Sequence, residues 1–391
     1  MEDVKPYRNI NFLLAGASGL MAMMTVSMIV PAFSEIIKRF SVTEQQIGLL
    51  LILSTLPALI LTPVAGVLAD RVGRKKLLVP SLFLFGLLGG ACAFATSYNM
   101  LLALRVLQGI CGTPLSAVAV AIIGDLFSGH KRAEAMGEFT AVMYAGYIVY
   151  PLIGGALAVW SWNYPFLPFF LSVVLGILVI VFLHCPEPGD QKSLKGYLGS
   201  GLRYLKSWKV IWVFSASMVT YILLYGAFLT YFSLFLGGHF NASPMLIGSV
   251  VSILGLATAV ASSQVGRLNK KYSTVSLIGV SFIIYAVAMA IVPVSPAVWL
   301  CLAAALVFGF AHGLNLPCQS IIVAGAAPLE NRAGLMAANG MMMYLGMTLG
   351  PLIMGGIFTL TSLNTTFFAA AVIALIIPVM ALLIGKRRLL N

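Results

Sequence analysis

Long apolar runs separated by short polar turns dominate this chain of 391 residues. Twelve runs approach or exceed the ~20 residues that an α-helix needs to cross the hydrocarbon core of a bilayer. They cover approximately residues 10–39, 44–69, 77–96, 99–127, 133–160, 164–184, 209–237, 243–268, 274–293, 297–326, 333–360 and 364–385. Because the runs are continuously apolar and do not alternate with polar residues, they predict an all-α integral membrane protein with twelve transmembrane helices.

Composition and charge agree with a membrane protein. The chain is 60% hydrophobic and only 9% charged, and its net charge of +12 is carried in short clusters between the apolar runs. All lysines and arginines except Lys38, Arg39 and Arg105 fall on one side if both termini are cytoplasmic. The positive-inside rule produces this pattern, so we expect a cell (inner or plasma) membrane location and no nucleic-acid partner. The five cysteines form no metal-ligand cluster, and we expect no metal site.

A shift of 200 residues superimposes many glycines, prolines and arginines of the chain on one another. The matched pairs include Gly66 with Gly266, Arg132 with Arg332, and Pro151 with Pro351. Six spans separate the copies, so both copies cross the membrane in the same direction and form parallel repeats.

The repeat divides the chain into an N-terminal six-helix half (1–184), a cytoplasmic linker (185–208) and a C-terminal six-helix half (209–391). Within the linker, Leu194, Leu198 and Leu202 fall on one helical face among basic residues. This spacing predicts an amphipathic helix on the inner membrane surface, with a plain solvated linker as the alternative.

Three short motifs interrupt the apolar pattern. The turn between spans two and three contains a single acid, Asp70, among four bases. Span four contains Arg105 followed by Gln108 and Gly109. Span five and its repeat copy contain the helix-packing residues Gly146, Pro151, Gly154, Gly155, Gly346, Gly350, Pro351 and Gly355. Together these motifs resemble those of the major facilitator superfamily, and in particular its twelve-helix drug:proton antiporter branch.

The resemblance implies the major facilitator fold and a latch on the cytoplasmic surface. Asp70 would face the N-terminus of the eleventh helix near Arg332, where the helix dipole favours an anion, and Arg74 would pair with Asp125. The latch would hold in an outward-open transporter and break in an inward-open one. The alternative is a basic turn that only sets topology. The latch residues are Gly66, Asp70, Arg71, Gly73, Arg74, Asp125 and Arg332.

The resemblance also implies a central cavity lined mainly by helices one, four, seven and ten. Methionine, aromatic and amide side chains fall at helical spacing on these spans. The cavity candidates on these spans are Met24, Met28, Gln108, Tyr221, Tyr225, Phe228, Phe308, Asn315 and Gln319, and span five adds Tyr144 and Tyr147. Such stripes also occur as plain packing, and amides inside a span also serve as interhelical hydrogen bonds.

Four ionisable residues are candidates for coupling transport to protons. Arg105 is the only base well inside a span, where a cation is costly, so it is either functional or structurally paired. His312 lies near mid-span and is of the residue type that titrates near neutral pH. Glu35 and Glu138 are the remaining carboxylate candidates.

We therefore expect a monomeric secondary active transporter, with a small-molecule substrate and the bilayer as partners. The favoured function is proton-coupled efflux of lipophilic or amphipathic compounds by alternating access, with the proton gradient and no cofactor as energy source. Alternatives are transport of a specific sugar, amino acid or metabolite, movement of lipid-like molecules between leaflets, and a membrane sensor with a transporter-like fold. The sequence has no P-loop, Rossmann glycine pattern or catalytic triad, so we expect no enzyme.

Overall fold

The computed structural model describes residues 5–185 and 207–385. All regular structure within these residues is helical, and twelve helices are long and apolar enough to cross a membrane. We label them α1 to α12: Ile10–Phe40, Glu44–Val72, Arg74–Phe94, Tyr98–Leu126, Gly129–Trp160, Tyr164–Phe182, Trp208–His239, Pro244–Leu268, Thr274–Val294, Val298–Gly325, Gly334–Leu360 and Leu363–Ile384. The predicted twelve-helix fold is confirmed. The amphipathic helix predicted in the linker falls outside the described residues.

Local signals set the helix ends. The side chains of Ser97 and Ser243 accept hydrogen bonds from the backbone at the start of α4 and α8, which pairs an amide that the helix leaves free. The turn between α2 and α3 is the single residue Gly73, whose φ of 103° is accessible to glycine at little cost. We call the membrane side that carries this turn the loop side, and the opposite side the far side.

The first six helices meet the last six mainly through two helix pairs, α2 with α11 and α5 with α8. On the far side, Gly248 of α8 lies against the backbone carbonyl of Pro151 on α5. The repeat copies are also close, although a Cβ at Gly48 of α2 would lie 3.3 Å from the Cβ of Pro351 on α11 and not against its backbone. The two sets of helices therefore pack closely at the far side through small residues.

Helix α7 departs from regular α-helical geometry. Residues Ile222–Phe232 form a π-helical stretch, in which the hydroxyl of Thr230 donates to the carbonyl of Tyr225 at 2.7 Å. Nearly the whole span is enclosed by neighbouring helices. The apolar pattern predicted only a helix at this position, because hydrophobic periodicity does not distinguish a π-helical segment.

Candidate functional site

A cavity of about 330 Å³ lies at the middle of the spans, between the first and the last six helices. Residues of α1, α2, α4, α5, α7 and α11 form its walls. Its largest lining side chains are Met23, Met143, Met343, Met347, Tyr147, Tyr221, Tyr225, Tyr344 and Phe139. None of the lining residues carries a charge; the remainder are small residues, serines, threonines and a valine.

The cavity face of α1 differs from the face that the sequence analysis selected. Met24 and Met28 are buried at 1% exposure and do not line the cavity. Met28 instead packs against Gly154 of α5. Met23 lies in the cavity wall together with Gly19, because the face that meets the cavity is offset by one residue from the methionine stripe.

The predicted residues Tyr147, Tyr221 and Tyr225 all line the cavity. Met143 and Met343, which the sequence analysis missed, also line the cavity, at repeat-related positions. The offset of 200 was the available signal, because repeat-related positions face the same central axis.

Other cavity candidates pack within or between helices. The rings of Phe228 and Phe308 stack with centroids 4.8 Å apart and are fully buried between α7 and α10. The hydroxyl of Tyr144 lies 3.0 Å from that of Ser262 on α8. Gln108 is fully buried behind the cavity wall. The structure therefore places these residues outside the cavity lining.

Asn315 and Gln319 on α10 belong to a buried hydrogen-bond network with α7. The Nδ2 of Asn315 donates to the hydroxyl of Thr220 at 2.7 Å, and the Nε2 of Gln319 donates to the same hydroxyl at 3.0 Å. Ser217 lies 3.0 Å from the Oε1 of Gln319 and 2.7 Å from the Oδ1 of Asn339 on α11. The amides thus make the interhelical bonds that the alternative interpretation expected.

His312 stands at the end of this network and lines a second, smaller cavity of about 20 Å³. Its Nδ1 is 2.7 Å from the hydroxyl of Tyr285 on α9. The small cavity shares Ser27, Tyr147 and Tyr225 with the main cavity. The α10 face predicted to be polar therefore reaches the small cavity through His312.

Arg105 is fully buried on α4. Its guanidinium donates to the Oε1 of Gln108 at 2.6 Å and to the backbone carbonyl of Thr25 on α1 at 2.5 Å. Within residues 5–185 and 207–385, no salt bridge involves Arg105. Because Thr25 itself lines the cavity, Arg105 ties α4 to α1 directly behind the cavity wall.

The α2–α3 turn gathers several of the residues assigned to the latch. Arg74 forms an ion pair with Asp125 at the end of α4 and donates to the backbone carbonyl of Ala121. Asp70 lies 3.7 Å from Arg74, and its side chain is 40% exposed. In the described part of the chain, no ion pair joins Asp70 to Arg332, which lies in the same helix two residues before the start of α11. The latch across the two halves stays a prediction.

The neighbouring Lys75 stabilises a helix end. Its Nζ donates to the backbone carbonyls of Ile180 and Leu183, both at 2.8 Å. These carbonyls lie at the C-terminus of α6, where intrahelical partners are missing and the helix dipole favours a cation. This base of the turn therefore caps the end of a neighbouring helix, a role that its position in the motif did not indicate.

The two carboxylate candidates have different surroundings. Glu35, toward the far side of α1, forms an exposed salt bridge with Lys38 at 2.8 Å. Glu138 lies on α5 next to the cavity residue Phe139, and its Oε2 is buried without a hydrogen-bond partner. No group of three or more His, Cys, Asp and Glu side chains that could hold a metal ion occurs among the described residues.

The glycine and proline motif residues lie where helices come closest. Gly155 of α5 faces the backbone of Pro244, and Gly346 of α11 faces the carbonyl of Met218. Gly350 faces the backbone of Gly226 within the π-helical stretch of α7. Close helix contact through small residues is common in membrane proteins, because packing replaces the hydrophobic effect there.

The arrangement of twelve helices around a central cavity agrees with comparison to known proteins. The family model of the Major Facilitator Superfamily matches residues 15–238 and, a second time, residues 213–389. The chain belongs to the Major Facilitator Superfamily. It is therefore a multi-pass membrane transporter.

An exporter and a drug-resistance protein are among the relatives of this superfamily member. The chain is 36% identical to the bacillibactin exporter of Bacillus subtilis (strain 168) over 163 residues, which are 40% of each chain. It is 24% identical to the quinolone resistance protein NorA of Staphylococcus aureus (strain MRSA252) over 341 residues, covering 85% of this chain and 86% of NorA.

Solved structures of two other transporters share the fold. A bacterial homolog of the human lysosomal transporter Spinster, inward-facing and occupied, superimposes with a TM-score of 0.80 at 19% identity. The comparison covers 99% of this chain and 98% of that one. The nucleoside transporter NupG superimposes with a TM-score of 0.77 at 14% identity, covering 95% and 98% of the two chains.

Proposed function

We propose that this transporter exports lipophilic or amphipathic molecules from the cell. The main support is the lining of the central cavity, which contains methionine thioethers and tyrosine rings and no charged side chain. Thioethers adapt to differently shaped apolar ligands, and tyrosines combine an apolar ring with a polar hydroxyl. The name of the bacillibactin exporter supports the export direction.

The same lining argues against the alternative substrates that are charged or strongly polar. An amino acid would bring an ammonium and a carboxylate into a space without counter-charges, at a high desolvation cost. A sugar would need a hydrogen-bond partner for each hydroxyl, whereas the cavity walls are mainly apolar. A lipid-like amphiphile suits the lining, and its transport would be a case of the proposed function.

Alternating access would proceed by separation of the two sets of helices at the far side and closure at the loop side. With the basic side and both termini in the cytoplasm, the far side faces outward. The contacts of Gly48 and Gly248 with the two motif prolines would break as the outward pathway opens. Asp70 would then reach the N-terminus of the α11 helix near Arg332 and complete the latch, in a transporter that works as a monomer.

Proton movement inward would supply the energy, and we assign the proton to Glu138. Its Oε2 is buried without a hydrogen-bond partner, so this carboxyl group is free to bind a proton without first breaking a contact. Glu35 already has an exposed cationic partner, and Arg105 is held by Gln108 and Thr25.

Purified transporter in liposomes tests the proposal with Nile red, a neutral lipophilic dye. An inward-directed proton gradient is expected to drive dye movement, and the Glu138→Gln variant is expected to keep downhill exchange while losing gradient-driven accumulation. Glu134→Gln, one turn away and exposed, is the matched control. Accumulation that survives full collapse of the gradient would contradict proton coupling, and absence of any dye movement would contradict the substrate class.

A further inference from the structure

The small cavity beside His312 has a defined hydrogen-bonding character, because the network behind it fixes where the imidazole proton lies. His312 is 1% exposed, and its Nε2 has no hydrogen-bond partner. Its Nδ1 faces the hydroxyl of Tyr285 at 2.7 Å. The orientation of this one hydroxyl therefore decides which ring nitrogen of His312 carries the proton.

Thr220 sets the direction of the network. Its hydroxyl donates its single proton to the backbone carbonyl of Ala216 at 2.7 Å. Toward Asn315 and Gln319 it acts only as an acceptor, so both amides must present their NH₂ groups to it. The carbonyl oxygen of Asn315 then receives the Nε2 of Gln319 at 3.1 Å, which agrees with this orientation.

The direction continues to the histidine. The second Nδ2 proton of Asn315 is directed toward the hydroxyl of Tyr285, 3.5 Å away. An NH₂ group cannot accept, so the only acceptor that the described residues offer the Tyr285 proton is the Nδ1 of His312. Nδ1 is thereby unprotonated, and the neutral ring carries its proton on Nε2.

We propose that the Nε2–H of His312 is a substrate-binding donor that selects a neutral hydrogen-bond acceptor, namely a ketone or amide carbonyl oxygen on an otherwise lipophilic substrate. This assignment rests on the proposed export of lipophilic compounds and specifies which polar group they carry. The cavity of about 20 Å³ has room for one group of the size of a water molecule. Its other walls are mostly apolar, including Leu224 and Leu254, so a carboxylate would be desolvated there without a counter-charge.

The substrate would place its apolar body in the main cavity and its carbonyl in the small one. Tyr147 and Tyr225 line both spaces, so the two cavities adjoin, and the substrate would reach from one into the other past these side chains. Tyr285 and Asn315 act as positioning residues, because they hold the imidazole in the donating tautomer without reaching the cavity. A change at His312 would then alter the preference for substrates with a carbonyl oxygen, while the affinity for the apolar part of the substrate would remain.

Two probes that differ in one carbonyl test the assignment. Equilibrium dialysis with radiolabelled benzophenone and diphenylmethane gives the ratio of their dissociation constants on the purified full-length transporter. In His312→Leu the preference for benzophenone is expected to fall by about tenfold, the effect of one lost bond to a buried acceptor. His312→Gln, which keeps an NH donor, is expected to retain most of the preference. Cys318→Ala, buried on the same helix outside both cavity linings, is the control.

Each outcome has a distinct meaning. Equal ratios in wild type and His312→Leu would overturn the donor assignment while leaving the lipophilic cavity intact. A ratio that falls in His312→Leu, together with no transport of either probe in liposomes, would support the donor and contradict export. If His312→Leu fails to fold, Tyr285→Phe releases the ring proton and is expected to lower the ratio by about twofold; an unchanged ratio there would contradict the tautomer assignment.

Discussion

The hydroxyl of Tyr144 on α5 lies 3.0 Å from the hydroxyl of Ser262 on α8, so the pair links the first and the last six helices. The positions 200 residues away also lie near one another. The hydroxyl of Tyr344 on α11 lies near the side chains of Ser116 on α4 and Thr62 on α2. The internal repeat thus places a tyrosine hydroxyl near a hydroxyl of the other six helices at both copies.

A double-mutant cycle measures the Tyr144–Ser262 contact. Tyr144→Phe and Ser262→Ala are expected to show a coupling energy of about 0.6 kcal/mol in the free energy of unfolding, the average for side-chain hydrogen bonds within a membrane. The matched cycle pairs Tyr144→Phe with Ser249→Ala, because the hydroxyl of Ser249 donates to the Met245 carbonyl of its own helix. Coupling equal in both cycles would show that the contact does not join the helices.

The far-side closure depends on Gly248. An alanine there would place a Cβ against the Pro151 carbonyl and push α8 away from α5. We expect Gly248→Ala to raise the labelling of a single cysteine at Ser34 from the far side by about fivefold, through a population shift toward the open state. Gly279→Ala, at a position with free space around it, should leave labelling unchanged. Equal labelling in both variants would exclude Gly248 from the closure.

Asp70→Asn tests the latch. Because the bases that set orientation remain, the variant is expected to keep its topology while Nile red transport falls by about tenfold, within the usual range of conformational coupling energies. Lys270 occupies the corresponding position of the second repeat, and Lys270→Gln is the control. Labelling of cysteines placed near each terminus checks the topology. Normal transport by Asp70→Asn would contradict the latch and would show that the turn only sets the topology.

Arg105 is expected to act on stability as well as on transport. Arg105→Met leaves the Thr25 carbonyl and the Gln108 amide without their partner in a buried position, which should cost about 1–3 kcal/mol in the free energy of unfolding. Chemical unfolding of the purified protein in detergent gives this difference. The exposed Arg39 provides the comparison, because Arg39→Met is expected to change stability by less than about 0.5 kcal/mol. An Arg105→Met protein as stable as wild type would contradict the structural tie between α4 and α1.

The close-packing glycines of the far side and the ion pair of the α2–α3 turn could be predicted from the sequence, because a repeat copy or a motif contains these residues. The structure brings Arg74 and Asp125 together as the motif implied. Met143 and Met343 were equally accessible through the repeat, yet single-span periodicity did not select them. The sequence shows which glycines could allow two backbones to approach. It does not show which residue each glycine contacts, because the partners lie on other helices.

The sequence alone determined the twelve spans, their helical nature and the repeat, because the bilayer requires each span to be long, apolar and internally hydrogen-bonded. Only the tertiary structure decided that Met23 and not Met24 faces the cavity, since a shift of one residue turns a side chain by about 100° around its helix. It also decided the partners of Arg105 and the donating nitrogen of His312, because both depend on side chains from several helices. Hydropathy identifies which residues lie within the membrane. The direction in which each polar side chain points, and therefore its partner, depends on how the helices pack.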